Sequence, residues 1–237
     1  MRRFFADKVD GNTLFITGTE ASHAINVIRL GEGDELIAIY GGYEYIARIK
    51  NAVDGKITAE IEEKRVCGAN PKINMTLYFS YLKSDNSELV VQKATELGVS
   101  SIYPFISKNS VKIPKDATKA LERLRKISDG AIKQCGRTDS VNIGGILSFS
   151  EMTAKLGGHE LVIFAYEKAT FELKKLLSGF TGSDIAVIIG CEGGFTEDEA
   201  EKIVEAGGKA VSLGSRILRG ETAAISACAV VAYETGC

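Results

Sequence analysis

Hydrophobic positions follow two different rhythms along this chain. Up to about residue 70, short apolar runs recur at 13–16, 35–40, 45–49 and 56–61, separated by clusters of Gly, Asn and Asp. Closely spaced strands broken by turn residues predict a small barrel or sandwich. One helix interrupts them, predicted over 21–30 and stopped by Gly31. The stretch 67–71 reads as a linker.

Beyond Pro71 the runs lengthen and alternate. Strands are predicted at 74–82, 101–106, 161–166, 185–189 and 210–213. Helices are predicted at 87–97 and 118–135, from Thr196 to the Gly207–Gly208 pair, and at 222–233. Over 118–135, Leu121, Leu124, Ile127, Ala131 and Ile132 fall on one helical face. Thr196 and Glu199 have the spacing of a capping box. Such alternation predicts an α/β domain with a mostly parallel sheet and helices on both faces. The expected domains are therefore 1–70 and 71–237.

The 237 residues are 45% hydrophobic and 25% charged, with a net charge of −2. The whole is no basic nucleic-acid binder, but the charge is uneven. Residues 107–137 carry nine Lys/Arg against three Asp/Glu, whereas 141–237 carry eight against thirteen. A basic stretch in a neutral protein fits either a phosphate-contacting face or a solvated helix surface. Five cysteines without CxxC spacing fit a reduced cytoplasmic protein, and two histidines argue against a zinc site. The amino terminus does not read as a signal peptide, and no apolar run has membrane-spanning length.

The chemistry concentrates in two glycine-rich segments near the carboxyl end. One runs Ile189-Gly190-Cys191-Glu192-Gly193-Gly194-Phe195. The other runs Leu213-Gly214-Ser215-Arg216-Ile217-Leu218-Arg219-Gly220-Glu221-Thr222-Ala223. Each follows a predicted strand and leads to a helix, the position where open α/β sheets bind ligands. Neither is a Walker A loop or a GxGxxG turn. Both offer backbone amides and few bulky side chains, which suits an adenine or ribose held by main-chain hydrogen bonds.

With these segments, and with Gln92–Val99, Gln134–Arg137 and His23–Leu30 upstream in the same order, the chain resembles the SPOUT class of S-adenosylmethionine-dependent RNA methyltransferases. Within that class it is most similar to the RsmE family, the uridine N3-methyltransferases of small-subunit (16S) ribosomal RNA. The resemblance spans nearly the whole chain. It implies a carboxy-terminal SPOUT domain tied in a deep trefoil knot, a PUA-like amino-terminal barrel that binds RNA, and a homodimer. It implies S-adenosylmethionine at Ile189, Gly190, Glu192, Gly193, Gly194, Leu213, Gly214, Ile217, Leu218, Thr222 and Ala223. Three positions depart from the family pattern: Cys191 and Ser215 stand where prolines are usual, and Gly220 where threonine is usual. The departures predict looser loops.

Transfer to uracil N3 makes Arg219 the expected stabiliser of a developing uracil anion. Glu221 is a second catalytic expectation, as base or orienting group, with helix capping as its alternative. Arg2, Arg3, His23, Arg29, Lys83 and Arg137 are the expected RNA contacts. No metal is implied. Two other functions fit less well: ribose 2′-O-methylation of another RNA, and non-catalytic RNA binding in ribosome assembly.

Overall fold

The computed structural model describes residues 2–236. They divide into two units, one comprising 1–70 with 132–140, the other 71–131 with 141–237. The sequence shows a single boundary near residue 70; the chain in fact crosses between units three times.

The first unit holds β1 (Arg3–Phe5), β2 (Lys8–Asp10), β3 (Thr13–Thr17), α1 (Gly18–Asn26), β4 (Glu35–Tyr40), β5 (Tyr43–Val53) and β6 (Lys56–Val66). The strand order is β1-β4-β5-β6-β3-β2. Only β1 and β4 run parallel; the other ladders are antiparallel. Both hairpin turns, Gly41–Gly42 and Asp54–Gly55, hold two successive positive φ angles, 57° and 82° in one and 52° and 67° in the other. That is the geometry a two-residue hairpin requires, and it explains these residue types. Segment 3–10 pairs with β4 at one end and β3 at the other, so the sheet curls until both edges meet on one strand. Two register shifts between β5 and β6 help it bend. Alternate side chains such as Leu14, Ile16, Leu36, Ala38, Ala47 and Ile49 fill the interior. Helix α1 covers it with Ala21 and Ala24.

Helix α1 is displaced from the predicted 21–30. It ends at Asn26, and Arg29 takes a left-handed φ of 64°. Ile28 and Leu30 still pack on the core, which is why their spacing mimics a longer helix.

The second unit alternates β7 (Asn74–Ser80), α2 (Ser84–Glu96), β8 (Ser101–Ile106), α3 (Ala117–Cys135, whose last turn belongs to the first unit), β9 (Asn142–Ile143), β10 (Leu147–Ser148), α4 (Phe149–Lys155), β11 (Leu161–Ala165), α5 (Leu173–Leu177), β12 (Asp184–Ile189), α6 (Glu197–Glu205), β13 (Lys209–Val211) and α7 (Gly220–Thr235). All ladders are parallel, in the order β10-β8-β7-β12-β11-β13, with β9 also on β8. The sheet separates two cores. Leu77, Ile163, Val187 and Ile189 share one with α2, α5 and α7. Tyr78, Phe105, Phe164 and Ile188 share the other with α4 and α6. Burial on both faces explains the near-continuous apolar strands.

Strand order fixes the site. β11 lies between β12 and β13, although it precedes both in the chain. The chain leaves β12, passes through α6 to β13 on the far side of β11, and returns through 212–219 to α7, which packs on α2 and β12. The ends of three adjacent strands thereby face one another.

Candidate functional site

The loops after β11, β12 and β13 enclose a cleft of about 320 Å³. That is within the size range of small-molecule sites, and it lies at the carboxyl edge of a parallel sheet. Its walls are the turn 190–194, the loop 212–218 and, from β11, Ala165, Tyr166 and Glu167.

The turn after β12 is closed by a hydrogen bond from the Gly194 amide to Cys191 O (2.9 Å). Phe195 anchors it, buried between Phe105 and Phe164 with ring centroids 6.4 and 6.1 Å away. A Cβ at Gly190 would lie 3.2 Å from the Phe195 ring, so backbone and aromatic ring are already in contact. Thr196 and Glu199 then form the predicted capping box that starts α6. Across the cleft, Gly214 has φ 118°, a conformation that L side chains rarely adopt. Among the described residues, the amides of Glu192, Gly193, Ile217 and Leu218 donate no hydrogen bond. A cleft with free amides and bare glycines fits a nucleoside held through the main chain.

All the residues nominated for the cofactor except Thr222 line this cleft. Thr222 is exposed on the first turn of α7. Arg219 is the exposed N-cap residue of α7, between two cleft-lining neighbours, Leu218 and Gly220. It forms no ion pair among the described residues. Glu221 is buried and accepts a hydrogen bond from Asn86 Nδ2 at 3.2 Å. It does not line the cleft, and it ties α7 to α2. Gly220 does not loosen the loop as expected. It is buried, and a Cβ there would lie 3.0 Å from Leu82 Cδ2 and 3.3 Å from Gly190 O. Close approach between backbone segments, not freedom, accounts for glycine at this position.

The nominated RNA contacts differ in availability. Arg2, His23 and Arg29 in the first unit, and Lys83 in the second, are exposed. Arg3 pairs with Glu44 at 2.9 Å. Arg137 is a correction. It is 1% exposed and paired with Asp139 at 2.6 Å, so its guanidinium has left solvent. Tyr78 is also a core residue; burial pushes its hydroxyl up to about 12.

Tyr166 and Glu167 escaped the sequence reading because nothing local places the end of β11 between β12 and β13. Among the described residues, no group of His, Cys, Asp and Glu side chains could hold a metal, and no helix is long and apolar enough to cross a membrane.

A parallel α/β domain with a glycine-walled cleft at its carboxyl edge, in one chain with a small β-barrel, defines a nucleotide-binding domain joined to a second module. Residues 69–232 match the RNA methyltransferase domain family, and residues 16–62 match the RNA methyltransferase PUA domain. The chain belongs to this RNA methyltransferase family. It is 30% identical to Ribosomal RNA small subunit methyltransferase E of Bacillus subtilis, over 99% of this chain and 97% of that one. The protein of the same name from Rickettsia conorii is 32% identical over 86% of this chain and 83% of its own. Among solved structures, a Ribosomal RNA small subunit methyltransferase E from Neisseria gonorrhoeae, bound to S-adenosyl methionine, aligns with TM-score 0.87 and 29% identity. The alignment covers 97% of this chain and 95% of that one.

Proposed function

We propose that this protein methylates N3 of a uridine near the 3′ end of small-subunit ribosomal RNA, with S-adenosylmethionine as donor, in the cytoplasm. The observation that carries the reading is the cleft between 190–194 and 212–218, in a chain matched almost end to end by relatives bearing the small-subunit methyltransferase name. The free amides at 192, 193, 217 and 218 fit the cofactor's adenosyl portion. When bound, S-adenosylmethionine supplies an electrophilic methyl group on its sulfonium.

The remaining work falls to this chain. Uracil N3 gives up its proton to water, and the negative charge left behind must be stabilised as the new N–C bond forms and the C–S bond breaks. Arg219 keeps its charge at any working pH and stands at the cleft's edge with no carboxylate partner among the described residues. Arg2, Arg3, His23, Arg29 and Lys83 hold the RNA backbone, which gives affinity with little sequence choice. Arg137 has no part in this.

The test is to incubate the protein with labelled S-adenosylmethionine and small ribosomal subunits that lack the modification, then identify the product nucleoside. The expected product is a single 3-methyluridine. A 2′-O-methyl nucleoside would move the target to ribose, and no incorporation into subunits or naked RNA would overturn the enzymatic reading.

The return of 212–219 across the end of β11 supports a trefoil knot that holds the cleft's two loops together. Stretching a single molecule by its ends should yield less than the full contour length of 237 residues, because a tightened knot keeps chain inside it. Recovery of the full contour length excludes the knot. The face of α7 away from the sheet joins two copies into a homodimer.

A further inference from the structure

The loop that follows β8 does not line the cleft, yet two of its residues touch the glycine turn at Cys191, Gly193 and Gly194. Asn109 Nδ2 donates to Gly193 O at 3.0 Å and to Gly194 O at 3.3 Å. Ser107 Oγ lies 3.6 Å from Cys191 Sγ. The Lys108 amide donates to Glu199 Oε1 at 2.8 Å, the same carboxylate that caps α6. The loop is itself braced by hydroxyls. Ser80 and Ser107 are 2.6 Å apart, and Ser110 Oγ lies 2.9 Å from Ser80 Oγ and 3.0 Å from Ser107 Oγ. A Cβ at Gly193 would lie 2.9 Å from Asn109 Cβ, so the Gly193 backbone lies against the Asn109 side chain with no room for a side chain of its own.

We propose that Asn109 is a positioning residue for cofactor binding, one that holds the Gly193–Gly194 turn in its ligand-ready shape from behind. A primary amide has two hydrogens and can serve two carbonyls at once. With both carbonyls drawn to the side chain, the peptide planes of two adjacent glycines are fixed. Without it, each glycine regains wide φ/ψ freedom, and ligand binding must then order the turn. This inference rests on the reading that the cleft holds S-adenosylmethionine.

The experiment titrates S-adenosylmethionine and, separately, S-adenosylhomocysteine into the full chain and into Asn109→Ala and Asn109→Asp by calorimetry. Steady-state methyl transfer is measured alongside. Loss of two ordinary hydrogen bonds should weaken both ligands about tenfold in Asn109→Ala. Asn109→Asp should be weaker still, because a carboxylate faces two carbonyls with no hydrogen to give. KM for S-adenosylmethionine should rise in parallel, with kcat at saturation and KM for RNA within twofold of the unsubstituted enzyme. Urea midpoints should be unchanged, which separates positioning from loss of fold. Affinity within twofold in both variants, or a fall in kcat at saturating cofactor, overturns the role of Asn109. If the unsubstituted protein binds neither ligand, the cofactor reading itself fails, and this inference with it.

Discussion

Arg219→Ala is expected to reduce methyl transfer about 100- to 1000-fold at saturating S-adenosylmethionine, the scale of removing one preorganised group that stabilises developing charge. Its surroundings favour this role over a structural one. The residue precedes α7 with extended backbone angles, φ −65° and ψ 154°, and its side chain does not cap the helix. Its nearest acidic neighbour in sequence, Glu221, points instead to Asn86. A cation without a carboxylate partner among the described residues, beside a ligand cleft, is placed to meet charge that arrives with the substrate. Cofactor affinity should stay within twofold, because Arg219 itself does not line the cleft. Arg219→Lys should recover only part of the rate, since an ammonium lacks the planar fork of paired donors that can hold a uracil carbonyl oxygen while the N3 lone pair stays free for the methyl group. Glu221→Gln keeps an acceptor for Asn86 and should retain most of the activity. Single-turnover rates on small subunits measure all three. A rate for Arg219→Ala within fivefold of the unsubstituted enzyme removes Arg219 from the chemistry.

What could be read in the sequence was whatever is local. Thr196 and Glu199 sit three apart on one chain segment, so a capping box is visible before any fold is known. Asp54–Gly55 likewise announces its hairpin. The glycine segments flag themselves by composition. By contrast, β9 and β10 have two residues each, too few to show a period. Helix α4 went unnoticed despite its own capping box at Ser148 and Glu151, because its seven residues carry only a short apolar pattern. Contacts between distant segments left no mark. Asn109 and Gly193 are 84 residues apart, and neither has a side chain that suggests chemistry. Charge counting misled at Arg137, whose place in a basic stretch says nothing about the carboxylate two residues further on that takes it out of solvent. Family habit misled at Gly220, where the missing side chain makes room for Leu82 and the Gly190 carbonyl.

A charge placed on the outer face of α7 is expected to have the other large effect: Ile225→Glu and Ala229→Arg should each halve the particle mass and lower methyl transfer more than tenfold. Between Glu221 and Glu234 this helix has no charged residue. Ala224, Ala227, Cys228 and Val231 turn into the sheet's core. The opposite stripe, Ile225, Ser226 and Ala229, is half-buried in the single chain, and Tyr233 beyond it is 85% exposed. A surface helix normally carries charge on its outer face, as α6 does with Glu201, Lys202 and Glu205. An uncharged stripe of this kind fits an interface, and a second copy of the same stripe is its simplest complement, because a two-fold axis pairs like with like. The same contact bears on catalysis. Helix α7 begins where the cleft's loop ends, and that loop presents Ile217 at 91% exposure. A partner seated on α7 would cover this apolar residue and close the open side of the cleft around Arg219. Sedimentation equilibrium should therefore give twice the 25.5 kDa of one chain for the unsubstituted protein, and a single chain for either variant. Dimers that persist in both variants would place the interface elsewhere, and monomers with full activity would show that the cleft is complete within one chain.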